Sequence, residues 1–87
     1  MNIIEKIGRP AALEQLAEEA AELSQAALKL ARCMRGENPT PKSRRQCEKE
    51  LIEEMTDLIL CLRVLDLKAD KELMKYKHHR WEKRLKG

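Results

Sequence analysis

The segment Gly36-Glu37-Asn38-Pro39-Thr40-Pro41 cannot continue a helix, and the chain on either side of it can do little else. Its two prolines remove backbone donors and push the residues before them out of the helical region, so a loop is expected here. Upstream, Ala11 to Arg35 contains neither Pro nor Gly and is rich in Ala, Leu, Glu, Gln and Lys, all good helix formers. Gly36 is placed to end that helix. Pro10 suits its first position, where a missing N–H costs nothing, and Asn2 can cap a short turn before it that ends at Gly8. Downstream, Ser43 can cap a second long helix running to roughly Leu67, and Asp70 can start a third that reaches about Leu85. The expected fold is all-α, with three main helices: an antiparallel helical hairpin plus a C-terminal helix, in a single domain over residues 1–87.

A chain of 87 residues buries a smaller fraction of its surface than a typical domain, and this one has no Phe and only Tyr76 and Trp81 as aromatics. Its core needs a supplement. Helices of a second copy are expected to supply it, building a four-helix-bundle core in a homodimer or homotetramer. The series Leu13, Leu16, Ala20, Leu23, Ala27 and Leu30 has the heptad-like spacing for such a seam. Disulfides do not fill this role, because Cys33, Cys47 and Cys61 are odd in number and include no C-x-x-C pair. All three read as free thiols, and Cys61, inside Leu58-Ile59-Leu60-Cys61-Leu62, is expected to be a buried structural one. No secretory signal is expected, since Glu5 and Lys6 interrupt the N-terminus, and no apolar run approaches the roughly 20 residues that span a bilayer. A cytoplasmic setting follows, with no membrane partner. The net charge of +3 is too small to imply nucleic acid by itself, and Glu72 and Glu82 interrupt the basic tail, which disfavours that partner further.

The two long helices echo each other. Glu18-Glu19-Ala-Ala-Glu22-Leu23 on the first returns on the second as Glu53-Glu54-Met-Thr-Asp57-Leu58. Residues three and four apart share a helical face, so Glu19 projects with Glu22, and Glu54 with Asp57. By the same step Leu16, Leu23, Ala26 and Leu30 share the first face, and Leu58, Cys61 and Leu65 the second. Acids beside apolar stripes cost several kcal/mol each in desolvation unless paired, protonated or bound to a metal. Neither Glu19 nor Glu22 has a Lys or Arg at three or four positions to pair with. A hard divalent cation held by carboxylate oxygens resolves the conflict, and the lack of His in either motif argues against zinc and against di-iron bundles. Magnesium fits, and manganese is compatible. Glu53 reads as exposed, and Glu18 as either exposed or supporting the site.

With these residues the chain resembles the MazG-type all-α nucleoside triphosphate pyrophosphohydrolases, whose hallmark is Glu-x-x-Glu on one helix and Glu-x-x-Asp on the next. The matching residues are Glu19, Glu22, Glu54 and Asp57, supported by Leu13-Glu-Gln-Leu16 ahead of the first motif, the apolar stretch after Asp57 and the basic tail. The resemblance runs from Pro10 to Leu85. It departs from many relatives in the longer separation of the motifs, Leu23 to Glu53, where the proline-containing loop takes up the excess. The resemblance implies Mg²⁺-dependent cleavage between the α and β phosphates of a nucleoside triphosphate, giving a nucleoside monophosphate and pyrophosphate. Glu19, Glu22, Glu54 and Asp57 would then be the catalytic, metal-holding carboxylates.

The tail Lys77-His-His-Arg80-Trp81-Glu-Lys-Arg84 resembles the basic segment that relatives place near the phosphates. Lys77, Arg80 and Arg84 share one helical face and can converge on one anion. Trp81 is expected to anchor the third helix on the bundle, with stacking on a base as the alternative, His78 and His79 to face solvent, and Lys42-Ser-Arg44-Arg45 to form a solvated helix start that a neighbouring subunit's substrate could meet. The competing expectation is a non-enzymatic helical oligomerisation module built on the heptad-like seam.

Overall fold

A computed structural model describes residues 1–36 and 42–87. It is all-α, with helices α1 (Ile3–Ile7), α2 (Arg9–Arg35), α3 (Arg44–Val64) and α4 (Lys71–Lys86), and no strand among the described residues. Each boundary has a local cause. Asn2 accepts from the Glu5 N–H at 3.3 Å to start α1, and Gly8, at φ 86°, turns the chain into α2, where Pro10 occupies the first turn. Gly36 ends α2 in the left-handed conformation that glycine adopts without steric penalty. The expected loop beyond Gly36 lies outside the described residues up to position 41. α3 begins with a capping box: the Gln46 N–H donates to Ser43 Oγ at 3.2 Å, and the Ser43 N–H donates to the Gln46 side chain at 3.0 Å. Asp70 caps α4 by accepting from the Leu73 N–H at 3.0 Å.

The end of α3 departs from the expected Leu67. The helix stops at Val64 in a Schellman turn, with the Leu67 N–H bonded to the Leu62 carbonyl and the Asp66 N–H to that of Arg63. Asp66 takes the left-handed position, at φ 56°, that a glycine usually fills, so the composition carried no stop signal there.

α2 and α3 pack along their length as an antiparallel hairpin, and α1 folds back against α2. Ala12, Ala26, Cys47 and Leu65 are the buried hydrophobics, with Leu65 and Cys47 each only 2% exposed. Leu16, Leu23, Leu30 and Leu58 are half-buried along the same seam, as their spacing predicts. Leu13, Ala20 and Ala27 of the heptad-like series are exposed instead. Cys61 is half-buried rather than buried, and Cys47 is the enclosed thiol, pushed up in pKa by burial and by the Cys33 thiol beside it.

α4 buries nothing and does not pack on the hairpin. The radius of gyration, 16.6 Å, reflects this, since a compact chain of this length would measure about 12 Å. Trp81, expected as an anchor, is 61% exposed, on a helix that makes no extended packing with another helix among the described residues. No helix among the described residues is long and apolar enough to cross a membrane.

Candidate metal centre and phosphate groove

The antiparallel hairpin brings the middle of α2 against the middle of α3, and there the two acidic motifs meet. Each of Glu19, Glu22 and Glu54 contributes a carboxylate oxygen to a triplet whose members all lie within 4.8 Å of one another. Glu19 and Glu54 are half-buried and Glu22 is exposed. Asp57, one turn along α3 from Glu54, sits at the rim of the triplet, near enough for its charge to act on Glu54 and on Cys61. Glu18 and Glu53 point to solvent.

The triplet carries the strain that its surroundings dictate. Glu19 Oε2 and Glu54 Oε2 are shut off from solvent and accept no hydrogen bond from the described residues. No Lys, Arg or His forms an ion pair with Glu19, Glu22, Glu54 or Asp57 among the described residues. Burial, followed by a hydrogen bond shared with Glu22 and by the charges of Glu22, Asp57 and Glu19, raises the Glu54 carboxyl above its ordinary pKa. A proton held by Glu54 and donated to Glu22 is thus one way to relieve the repulsion. Burial, with the charges of Glu19 and Asp57, likewise pushes up the Cys61 thiol. Three convergent hard oxygen donors, two of them with enclosed and unpartnered atoms, are the donor set that magnesium or manganese takes.

Two neighbours escaped the sequence reading. Gln15 donates from Nε2 to Glu19 Oε1 at 2.9 Å and fixes which Glu19 oxygen is left unpartnered. It lies four positions before Glu19, so the helical step could have flagged it. The second is an open groove of about 390 Å³ that starts at Glu22 and Glu54 and is lined further along by Gln25, Ala26, Lys29, Lys42, Glu50 and Glu53. Lys42 pairs with Glu50, and that hydrogen bond holds the Glu50 carboxyl below its ordinary pKa, with Lys29 adding to the pull.

Lys77, Arg80 and Arg84 are together on one side of α4, as their spacing predicts. They line a separate open cavity of about 550 Å³ with Leu73, Met74 and Trp81. The structure does not bring them to the carboxylates of their own chain. Arg80 stacks over Tyr76 at 5.6 Å, His79 is exposed, and the exposed His78 lies 3.3 Å from Glu82. The solvated start of α3 is as expected, with Arg44 on Glu48 at 3.2 Å.

The chain matches no model of a known protein family, no curated protein and no solved structure.

Proposed function

We propose that this protein is a Mg²⁺-dependent nucleoside triphosphate pyrophosphohydrolase, cleaving between the α and β phosphates to release a nucleoside monophosphate and pyrophosphate. The observation that supports it best is the triplet of Glu19, Glu22 and Glu54 across two helices, with two enclosed oxygens that have no partner among the described residues. Helix surfaces often carry solvated acids, but those do not converge from two elements and lose both water and cationic partners. The correspondence with the MazG-type motif, reaching Asp57 at the rim, supplies the reaction.

In this reading Glu19, Glu22, Glu54 and Asp57 hold the cation and, through it, the triphosphate. Bound magnesium would neutralise the phosphates and lower the pKa of the attacking water. Holding a cation would require Glu54 ionised, against the raised pKa that burial gives it. Glu19 or Glu22 accepts the proton of the water that attacks phosphorus. Gln15 keeps Glu19 in the orientation this requires. Lys77, Arg80 and Arg84, standing off on α4, reach a phosphate only at the hairpin of another copy. That is consistent with the proposed homodimer or homotetramer with a four-helix-bundle core. Incubating the purified protein with Mg²⁺ and a panel of ribo-, deoxy- and modified nucleoside triphosphates tests the proposal. Pyrophosphate release from at least one, abolished in Glu54→Gln and Asp57→Asn, is the expected result. No turnover across the panel, with no Mg²⁺-induced change in melting temperature, would sink it.

One observation favours a second reading, a non-enzymatic helical oligomerisation module: Ile52, Met55 and Ile59 form an exposed apolar stripe on α3. Under that reading alone, neutralising the triplet would leave oligomerisation intact and no metal would bind. The enclosed, unpartnered carboxylate oxygens have no role in it.

A further inference from the structure

The groove beside the carboxylate triplet has a chemistry that the acidic motifs do not explain. Its floor is the buried Ala26, whose small side chain leaves the space open between α2 and α3. One end is Glu22 and Glu54, the other Lys29 and Lys42. Lys29 lies seven residues beyond Glu22 on α2, about 10 Å along the axis and nearly on the same face. Lys42 approaches from the opposite wall, just before α3, and pairs with Glu50, whose carboxyl also feels the charge of Lys29. Hard-cation ligands thus lie at one end of a single open channel, with two lysines lining the other. A linear polyanion that is metal-bound at one end and needs charge neutralisation along its length fits that order.

We propose that Lys29 and Lys42 form the site for the terminal phosphates of the substrate, which displaces Glu50 from Lys42. This rests on the reading of the triplet as the metal centre. It assigns retention of the pyrophosphate end to the hairpin that carries the carboxylates, within one chain, in addition to what the α4 cations of another copy contribute. Glu50 keeps Lys42 in place before substrate arrives and competes with it for that lysine. The groove therefore selects for a chain of phosphates over a single phosphate, which would leave one end of the channel unfilled.

The test is calorimetric binding of inorganic tripolyphosphate in the presence of Mg²⁺, with a parallel measurement of the Mg²⁺-induced change in melting temperature. Lys29→Ala and Lys42→Ala are each expected to weaken tripolyphosphate binding by about tenfold or more and to keep the Mg²⁺ response. Lys29→Arg should restore most of the affinity, and Glu50→Gln should strengthen binding. Lys49→Ala, which removes a cation of α3 that does not line the groove, serves as the charge control and should change affinity less than twofold. Wild-type affinity in both alanine variants, or an equal loss in Lys49→Ala, would overturn the assignment. So would a wild-type protein that responds to Mg²⁺ yet does not bind tripolyphosphate, and that outcome leaves the metal centre standing. A protein without any Mg²⁺ response defeats the metal centre first and this site with it.

Discussion

Glu54 of α3 and Glu22 of α2 bring carboxylate oxygens within 4.8 Å of each other, and neither is paired with a basic side chain among the described residues. Burial first, and then the nearness of Glu22, raises the Glu54 carboxyl above its ordinary pKa. The unfolded chain has neither effect and titrates Glu54 near its ordinary value of 4.5. The folded form therefore binds this proton more tightly, and the stability it contributes is fully present below the ordinary value. That stability is lost as pH rises through the raised value in the folded state. In chelator, thermal melts across mildly acidic pH should show the melting temperature falling over this window. Glu54→Gln, which removes the charge and keeps the side chain's size, should flatten that slope and raise the melting temperature at neutral pH.

The same proton competes with metal, which gives the second prediction. Adding Mg²⁺ should raise the melting temperature by an increment that grows with pH, because the cation needs the carboxylates ionised. At free Mg²⁺ one hundred times its Kd, the stabilisation should be about 2.7 kcal/mol. Excess chelator should reverse it. Glu54→Gln should be more stable than wild type in chelator and less responsive to Mg²⁺, a crossing that a merely structural carboxylate would not produce.

These features were legible in the sequence to different degrees. Glu19, Glu22, Glu54 and Asp57 could be found because helical spacing puts each pair on a known face, and hairpin closure then brings the pairs together. The starts of α3 and α4 were equally legible, since Ser43 and Asp70 act on donors three residues away. Lys29 and Lys42 could not be found the same way. They belong to different elements, and neither spacing nor composition joins them before the hairpin closes. Trp81 was misjudged for a related reason: amphipathic spacing shows that a helix has an apolar side, not that its own chain supplies the partner. The end of α3 was missed because Asp66 occupies a conformation that glycine normally signals.

That end yields a third prediction. Arg9 donates from Nη1 to the carbonyl of Leu65 at 3.2 Å, joining the first turn of α2 to the last carbonyls of α3 in a part-buried contact. Arg9→Ala removes a charged donor and leaves that carbonyl without it, so a loss of about 1–2 kcal/mol is expected. Asp66→Gly acts oppositely. It relieves a left-handed non-glycine residue, costing about 1–2 kcal/mol, against the extra freedom glycine brings to the unfolded chain, about 0.5–1 kcal/mol. A net gain near 0.5 kcal/mol is expected. Denaturant melts of the two single variants should move the midpoint in opposite directions with an unchanged slope.

The fourth prediction concerns the surface the hairpin leaves open. Ile52, Met55 and Ile59 recur at three- and four-residue steps along α3 and are 59%, 43% and 47% exposed. Beside them α2 exposes the small residues Ala17, Ala20, Ala21 and Ala27, which let another helix approach closely. An apolar stripe of this kind on a chain with only Ala12, Ala26, Cys47 and Leu65 buried is the surface a second hairpin would cover in a four-helix bundle. Light scattering should give a dimer or tetramer for the wild type. Ile59→Lys places an unpaired charge in the centre of the stripe, so it should shift the protein toward monomer and make its melting temperature depend on concentration over a higher range. Because Ile59 faces away from the triplet's partners on α2, the isolated hairpin of the variant should keep its Mg²⁺ response. A wild-type protein that scatters as a monomer at every concentration would show that the stripe is not covered by a second copy.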